Sequence, residues 1–252
     1  MKSQRTKLGI IDWGIGGISI VRLLRETGKT FPVIYLSDTG ATPYGRMKRE
    51  ELISRLDSVI DFLRKKEITH IVVGCNAAST AIPYLNSDGI IVKGVIESAV
   101  KISAQQKPQN LAVIGGKRTI LSGIYRKEFA KRGIKVKQRI AQPLSALIES
   151  GDVSSSKLYD EAQKILAPIK RSSHILLACT HYPAIADILK QIASPATKLI
   201  DPAEELAAEI AGWKISENGV DEFYTTGDSE SMKKSAKQAF GFSVKEIEKV
   251  QI

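Results

Sequence analysis

The chain repeats one pattern, Val72-Val73-Gly74-Cys75-Asn76, as Leu176-Leu177-Ala178-Cys179-Thr180 at an offset of 104 residues. A second pair, Leu8-Gly9-Ile10-Ile11 and Leu111-Ala112-Val113-Ile114, recurs at an offset of 103. Each segment contains a short apolar run of the kind that forms a buried strand. Two pairs at nearly one offset predict a duplicated α/β domain. Coincidence among generic apolar strands is the alternative interpretation, because only the cysteine pair is chemically distinctive.

Short apolar runs alternate with longer amphipathic segments, which is typical of βαβ units and predicts an α/β fold with mainly parallel sheets. The predicted strands are 8–11, 33–36, 71–73, 90–92, 111–114, 135–138, 175–177, 198–200 and 223–225. The predicted helices, with apolar residues every three or four positions, are 50–65, 119–131, 156–169 and 183–192. A boundary near residues 95–98, and a tail that returns to the first half, predict two domains: 1–96 with 205–252, and 97–204.

The composition excludes several classes of protein. The 252 residues carry a net charge of +10, 43% hydrophobic residues and two cysteines. The hydrophobic fraction excludes general disorder, and two cysteines are too few for a disulfide scaffold or a four-cysteine metal site. No window of eighteen apolar residues and no signal-peptide pattern occurs, so we expect a cytoplasmic protein with no membrane partner. The positive charge is scattered and aromatic residues make up only 6% of the chain, so nucleic acid is not an expected partner.

Cys75 and Cys179 each follow a predicted strand by at most two residues. In parallel α/β sheets, reactive groups lie at the carboxyl ends of strands, where loops converge on a crevice. The residues after each cysteine suit a helix start, and the N–H groups of a helix N-terminus favour the thiolate. A lone free cysteine is often just a small core residue. Two cysteines at equivalent positions instead predict a pair of reactive thiols.

Two thiols that face each other across a cleft suit proton transfer at a stereocentre. One thiolate removes the α-proton from one face, the opposite thiol supplies a proton to the other face, and the centre is inverted. The two bases need different protonation states at any instant, so each benefits from a neighbouring group that tunes it. Asp12, after the first strand, and His181, two residues past Cys179, are the candidates.

Seven short motifs follow one another along nearly the whole chain. They are Gly9-Ile10-Ile11-Asp12-Trp13-Gly14-Ile15-Gly16-Gly17, Tyr35-Leu36-Ser37-Asp38-Thr39, Pro43-Tyr44-Gly45, Cys75-Asn76, Leu147-Ile148-Glu149-Ser150-Gly151, Cys179-Thr180-His181-Tyr182-Pro183 and Tyr224-Thr225-Thr226-Gly227-Asp228. In this order they resemble the glutamate racemases of the aspartate/glutamate racemase superfamily. The resemblance implies two pseudo-symmetric α/β domains with the active site in the cleft between them. It also implies a racemase of a small-molecule amino acid that needs no cofactor and supplies D-glutamate for peptidoglycan.

The resemblance also assigns roles to individual residues. It implies that Cys75 acts on the D-enantiomer and Cys179 on the L-enantiomer. Asp12 would assist near Cys75, and His181 near Cys179. Glu149 matches a further carboxylate of the family's site.

Substrate contacts are expected from the turn Pro43-Tyr44-Gly45, from Trp13 and Ala77, and from Asn76 and Thr180. The turn can offer backbone N–H groups and a phenolic OH to one carboxylate, and Asn76 and Thr180 can hold another. Local capping and turn formation are a second interpretation of the same residues. The two interpretations are compatible.

Two of these positions depart from the family pattern. The family usually has Asp-Ser-Gly where this chain has Asp12-Trp13-Gly14, and Cys-Asn-Thr where it has Cys75-Asn76-Ala77. Both replaced residues are hydroxyls that the resemblance assigns to substrate contacts. Two alternatives therefore stay open: a racemase with an altered preference, for aspartate or another amino acid, and a non-catalytic binding or regulatory protein on the racemase fold.

Two other kinds of ligand fit parts of the sequence. Gly14-Ile15-Gly16-Gly17-Ile18-Ser19 nearly matches a dinucleotide-binding fingerprint, but Ser19 breaks the pattern and Asp12 would repel a pyrophosphate. Cys75, Cys179, His181 and Asp12 form a chemically acceptable zinc ligand set, but zinc would occupy the thiols needed for proton transfer. No metal or cofactor is therefore expected.

His70 and His174 directly precede predicted strands and carry no partner motif, so structural roles are expected for both. A homodimer is the expectation for the assembly.

Overall fold

Residues 7–252 are described by a computed structural model. Their strands are Leu8–Asp12 (β1), Val33–Ser37 (β2), His70–Val73 (β3), Ile91–Gly94 (β4), Leu111–Gly115 (β5), Val136–Ile140 (β6), His174–Ala178 (β7), Lys198–Ile200 (β8), Glu222–Thr225 (β9) and Glu248–Lys249 (β10). Their α-helices are Ile18–Glu26 (α1), Arg49–Lys65 (α2), Asn76–Ser79 (α3), Val95–Gln105 (α4), Lys117–Leu121 (α5), Ile124–Ala130 (α6), Gln142–Glu149 (α7), Ser156–Leu166 (α8), Ala186–Ile192 (α9), Pro202–Ala211 (α10) and Ser229–Phe240 (α11). Two short 3₁₀-helices cover Ile82–Tyr84 and Tyr182–Ile185.

The strands form two parallel sheets, which confirms the predicted α/β class. The six-stranded sheet has the order β10-β9-β2-β1-β3-β4, and the four-stranded sheet has the order β6-β5-β7-β8. The order β2-β1-β3-β4 in the first is repeated as β6-β5-β7-β8 in the second. The duplicated pattern in the sequence therefore corresponds to a duplicated strand topology.

The register of the two sheets places the cysteines at equivalent points. Leu8 pairs with His70 in the first sheet, and Leu111 pairs with His174 in the second. β1, β5 and β7 are buried along their whole length, as expected for central parallel strands covered on both faces. The chain leaves β3 and β7 at their carboxyl ends and reaches Cys75 and Cys179 within two residues.

Helices α4 and α10 connect the two sheets and pack against each other. Helix α4 contributes Val95 to the core beside the six-stranded sheet and Ala99 to the core beside the four-stranded one. After α10 the chain returns to the six-stranded sheet as β9 and β10, and β9 pairs with β2. The predicted domain limits, 1–96 with 205–252 and 97–204, stay a prediction.

Two predicted helices differ from the structure. The predicted helix 119–131 is divided into α5 and α6 by Gly123, whose φ of 69° lies in the left-handed region that a helix cannot continue through. The predicted helix 183–192 begins as the 3₁₀-helix Tyr182–Ile185 and becomes α-helical at Ala186. Pro183 in that first turn lacks an N–H group, which suits a helix start.

The two remaining histidines lie at the opposite end of the strands from the cysteines. His70 begins β3, and its ring centroid lies 5.3 Å from that of Trp213. His174 begins β7, and its Nδ1 lies 3.0 Å from the hydroxyl of Ser173. Within residues 7–252, no helix is long and apolar enough to span a membrane.

Candidate active site

One cavity of about 450 Å³ opens where the carboxyl ends of the two sheets face each other. It is lined by every residue that the sequence assigned to the site: Asp12, Trp13, Pro43, Tyr44, Gly45, Cys75, Asn76, Ala77, Glu149, Cys179, Thr180 and His181. These residues come from the end of β1, from the segments that follow β1, β2, β3 and β7, including the start of α3, and from helix α7. The strand topology therefore brings together groups that are up to 169 positions apart in the chain.

The Cys179 side of the cavity holds a chain of three polar groups. Sγ of Cys179 lies 3.6 Å from Nδ1 of His181, and Nε2 of His181 lies 2.5 Å from Oε2 of Glu149. Burial alone would lower the pKa of His181. The hydrogen bonds to Cys179 and Glu149, and the negative charges of these two groups, outweigh burial and raise that pKa well above its usual value. A protonated His181 places a positive charge beside the sulfur of Cys179.

The Cys75 side of the cavity has the opposite electrostatics. Burial and then the charge of Asp12 raise the pKa of the Cys75 thiol well above its usual value, and Cys179 adds to the effect. The N–H groups of Ala78 and Ala77, at the start of α3, pull the pKa down by less. The N–H groups at the start of α3 therefore favour the thiolate of Cys75 as predicted, but burial has the larger, opposite effect.

Asp12 is buried and links the two halves of the molecule, one built on the six-stranded sheet and the other on the four-stranded sheet. Its Oδ2 accepts a hydrogen bond of 2.8 Å from the hydroxyl of Thr180, and its Oδ1 accepts one of 2.6 Å from the N–H of Trp13. Burial raises the pKa of Asp12, while the charge of His181 and the bond from Thr180 oppose this shift. The Thr180 hydroxyl donates its proton to Asp12 in this structure, and the contact of Thr180 with a substrate carboxylate stays a prediction.

The glycines after Asp12 make room for this interface. A Cβ atom on Gly14 would lie 2.0 Å from Oε2 of Glu149, and one on Gly16 would lie 2.4 Å from Oγ1 of Thr180. The backbone N–H of Ile15 donates to Glu149 at 3.0 Å. The space above this glycine-rich loop is therefore filled by side chains from the other half.

The Tyr44 hydroxyl is bonded within the protein, and its contact with a substrate carboxylate stays a prediction. Tyr44 is buried, and its OH donates to Oδ2 of Asp38 at 2.7 Å. Asp38 is fully buried and is further held by Arg55 and by the hydroxyl of Thr226. The phenol of Tyr44 therefore anchors the turn to the buried Asp38. The backbone of Pro43, Tyr44 and Gly45 faces the cavity and can contact a ligand.

Asn76 retains an unused donor in the cavity wall. Its Oδ1 accepts a hydrogen bond from the hydroxyl of Tyr125, which belongs to α6 of the other half. Its Nδ2 is buried and has no hydrogen-bond partner within residues 7–252. Because a buried amide without a partner is costly, this NH₂ group is available for an anionic ligand.

Trp13 forms a wall of the cavity and does not plug it. Its indole Nε1 donates to the carbonyl of Ala41 at 3.0 Å. The ring is half-buried and packs against the apolar core that also contacts Cys75 and Ala77. The large side chain is thus held against the first half, and a cavity remains between the cysteines' loops.

Sequence reasoning missed part of the lining. The unassigned residues are Thr39, Arg46, Gly116, Thr119, Gln142, Ser145, Ala146, Ser150, Ala178, Gly227, Asp228, Ser231, Met232 and Ser235. Gly227 and Asp228 belong to a quoted motif that received no role. Thr119, Gln142 and the serines of α11 carry no pattern that would separate them from ordinary helix residues, so only the packing of the two halves reveals them.

The zinc alternative lacks a ligand set. Across residues 7–252, no group of three or more His, Cys, Asp or Glu side chains is arranged to hold a metal ion. His181 already has both ring nitrogens engaged, with Cys179 and Glu149. Thr180 occupies one oxygen of Asp12.

Comparison with known proteins places this arrangement among racemases. Residues 18–210 match the family model described as Asp/Glu/Hydantoin racemase. The chain is 28% identical over 259 residues to a glutamate racemase of Thermoanaerobacter sp. strain X514, and the match covers 97% of each chain.

Two solved structures have the same fold. A glutamate racemase isoform from Bacillus anthracis is similar with a TM-score of 0.87 at 24% identity, over 99% of this chain and 98% of that one. A glutamate racemase from Thermus thermophilus, solved in complex with beta-chloro-D-alanine, is similar with a TM-score of 0.84 at 25% identity, over 100% and 99% of the two chains.

Proposed function

Because this chain belongs to the Asp/Glu/Hydantoin racemase family, we propose that it interconverts L- and D-glutamate by proton transfer between Cys75 and Cys179. The chain is an isomerase of the racemase class. The observation that carries the proposed mechanism is that both sulfurs line one cavity from equivalent strand ends but have opposite electrostatic surroundings.

The proposed mechanism starts from one thiolate and one thiol. His181, protonated and held by Glu149, lies beside the Cys179 sulfur, where it can stabilise a negative charge. Burial and the charge of Asp12 keep Cys75 protonated. Two-base racemisation requires this difference, since one sulfur must accept a proton while the other donates one.

With L-glutamate bound, the Cys179 thiolate removes the α-proton and becomes a thiol. The electron pair of the broken C–H bond passes to the α-carbon and its carboxylate, and the Cys75 thiol gives its proton to the opposite face. The product is D-glutamate, with Cys75 left as the thiolate. The reverse reaction starts from that state, so protons and charge balance over a full cycle.

The substrate assignment rests on the related enzymes and on the donors in the cavity. The Thermoanaerobacter relative is a glutamate racemase, and the match covers 97% of this chain. Asn76 Nδ2, the backbone of the turn 43–45 and the exposed cation Arg46 offer donors and positive charge to a dicarboxylate. Arg46 at the cavity edge also attracts an anionic substrate.

The test is α-proton exchange in deuterated water. The protein is incubated separately with L-glutamate, D-glutamate and both enantiomers of aspartate, and the products are separated on a chiral column and analysed by mass spectrometry. We expect inversion of glutamate with one deuterium at the α-carbon. Inversion of aspartate alone would assign the altered substrate preference, and thermal stabilisation by glutamate without exchange would favour a binding protein.

The two-cysteine mechanism has its own test. Cys75→Ser and Cys179→Ser should each abolish racemisation in both directions, because inversion needs a group on each face. A single variant that retains full two-way turnover would contradict the mechanism. The control is Ser58→Ala, which changes an exposed side chain of α2 outside the cavity lining and should leave turnover unchanged.

We also assign the product to cell-wall synthesis, as the resemblance implies. D-glutamate made here would supply peptidoglycan. Expression of the chain in a bacterial strain that requires added D-glutamate should restore growth, and expression of the Cys75→Ser variant should not. The homodimer and the cytoplasmic location stay predictions.

A further inference from the structure

Arg118 joins the two halves of the molecule at a point outside the cavity lining. It lies in α5, directly after β5 of the four-stranded sheet, and is half-buried. Its Nη1 donates to the carbonyl oxygen of Met47 at 2.7 Å, and its Nε donates to Oγ1 of Thr80 at 3.3 Å. Both partners lie in segments that leave the six-stranded sheet, so one guanidinium spans the interface.

Met47 ends the turn that lines the cavity. The N–H of Arg46 donates to the carbonyl of Pro43 at 2.7 Å and closes this turn. The first part of the turn is anchored within its own half, by the bond from Tyr44 to Asp38. The second part is anchored from across the interface, by Arg118. The turn 43–47 is thus fixed at two points, and only the second depends on how the halves are placed.

Thr80 connects Arg118 to the helix that carries Cys75. Cys75 is the N-cap and Thr80 the C-cap of α3. The Thr80 hydroxyl also donates to the carbonyl of Ala77 at 2.7 Å. Because α3 has only four residues, a shift at Thr80 is passed on to Cys75 and Asn76.

The charge of Arg118 faces Arg49, Glu50 and Cys75. Burial and then the like charge of Arg49 lower the pKa of Arg118, but a guanidinium stays protonated at physiological pH. Its charge favours the thiolate at Cys75, whereas Asp12 and Cys179 disfavour it.

We propose that Arg118 is a positioning residue, which holds the turn 43–47 and helix α3 of one half at the spacing from the other half that the substrate requires. The proposal rests on the proposed function only for the identity of the substrate. Arg118 contacts no reacting group. It acts through Met47 and Thr80.

The first experiment measures steady-state racemisation of D-glutamate. We expect Arg118→Gln to raise KM roughly tenfold, the effect of losing about one charge-assisted hydrogen bond, with a much smaller change in kcat. Arg118→Lys retains the charge and one donor, so its KM should lie between that of the wild type and that of Arg118→Gln. Thr80→Val, which removes the second partner of Arg118 together with the bond from Thr80 to the Ala77 carbonyl, should raise KM less than Arg118→Gln. The matched control is Arg126→Gln, an exposed arginine on the adjacent helix α6.

The second experiment measures amide hydrogen exchange in the full chain without substrate. Arg118→Gln should speed exchange at residues 44–47 and 77–80 and leave β1 unchanged. This readout does not depend on turnover. If the wild-type protein fails to racemise glutamate but the exchange changes as described, the proposed function is wrong and the role of Arg118 stands. Unchanged exchange, or a KM equal to that of Arg126→Gln, would overturn the role of Arg118.

Discussion

Oε2 of Glu149 lies 2.5 Å from Nε2 of His181. The same oxygen accepts a hydrogen bond from the backbone N–H of Ile15, which belongs to the other half of the molecule. The acid–base group beside Cys179 is therefore completed only when the two halves meet. A carboxylate in this position keeps His181 charged and fixes which of its ring nitrogens faces the sulfur.

Glu149→Gln should lower kcat by roughly 10- to 100-fold, within the usual range for a general acid–base group. Glutamine cannot stabilise the protonated imidazole, so the pKa of His181 falls. In the wild type that pKa is raised well above its usual value, so His181 stays charged through neutral pH. The deficit of the variant should therefore be larger at pH 8 than at pH 6. Glu161→Gln, in the surface ion pair with Lys164, is the control, and an equal deficit at both pH values would argue against a protonated His181.

Gly14→Ala should destabilise the fold and abolish activity. The new Cβ would lie 2.0 Å from Oε2 of Glu149, so either the loop or the carboxylate must move. Overpacking of this kind costs about 1–3 kcal/mol. Thermal unfolding and racemase activity measure the two effects. Gly212→Ala provides the comparison, because its new Cβ would come no closer than 3.3 Å to the nearest neighbouring atom. Full activity of Gly14→Ala would mean that Glu149 is free to move.

Trp13→Ala should lower kcat by roughly tenfold, because the substrate loses a wall that fixes its orientation between the cysteines. Trp13→Phe retains most of the ring and loses only the bond to the Ala41 carbonyl. It should stay close to wild type in kcat and lose about 1 kcal/mol of stability. Steady-state kinetics and chemical denaturation of the two variants check these values. If Trp13→Ala were as active as wild type, the ring would be dispensable for positioning.

Asp201→Asn should stabilise the protein at pH 7.5. Burial raises the pKa of Asp201 from 3.8 to about 6, so the folded state holds its proton more tightly than the unfolded state. The stability of the wild type therefore falls as pH rises from about 4 to about 6, and the loss persists above that range. Asparagine keeps the N-cap bond from the Ala203 N–H without the charge. We expect a gain of about 1 kcal/mol at pH 7.5, reduced from the full shift because Asp201 is only partly buried.

The control for Asp201→Asn is Asp228→Asn, at the N-cap of α11. Hydrogen bonds from Ser231 lower the pKa of Asp228, so its charged form stabilises the fold above the usual carboxyl pKa. Asp228→Asn should therefore reduce stability at pH 7.5, the opposite sign. Urea denaturation of both variants at pH 4.5 and 7.5 measures the effect. A gain for Asp201→Asn that is the same at both pH values would show that the Asp201 charge is not the cause.

Much of the fold is predictable because strand patterns are local. The nine predicted strands all occur, with limits that shift by at most two residues. The buried strands β1, β2, β5 and β7 are the largely apolar runs expected of parallel strands. The sequence pattern did not predict helices α1, α4, α7, α10 and α11, and Gly123 divides a predicted helix by adopting a positive φ. Whether a glycine leaves the helical region depends on the packing around it, which the sequence pattern does not encode.

The sequence by itself determined which chemical groups this protein uses. They are two cysteines at equivalent strand ends, together with Asp12, Glu149 and His181 from the motifs of the family. The tertiary structure decided how each group is used. It directs the Tyr44 hydroxyl to Asp38 and the Thr180 hydroxyl to Asp12, and it leaves Asn76 Nδ2 without a partner within residues 7–252. It also raises the pKa of the Cys75 thiol, mainly by burial, in spite of its place at a helix start. Hydrogen-bond partners and burial arise from contacts between distant segments, so they appear only when the two sheets are brought face to face.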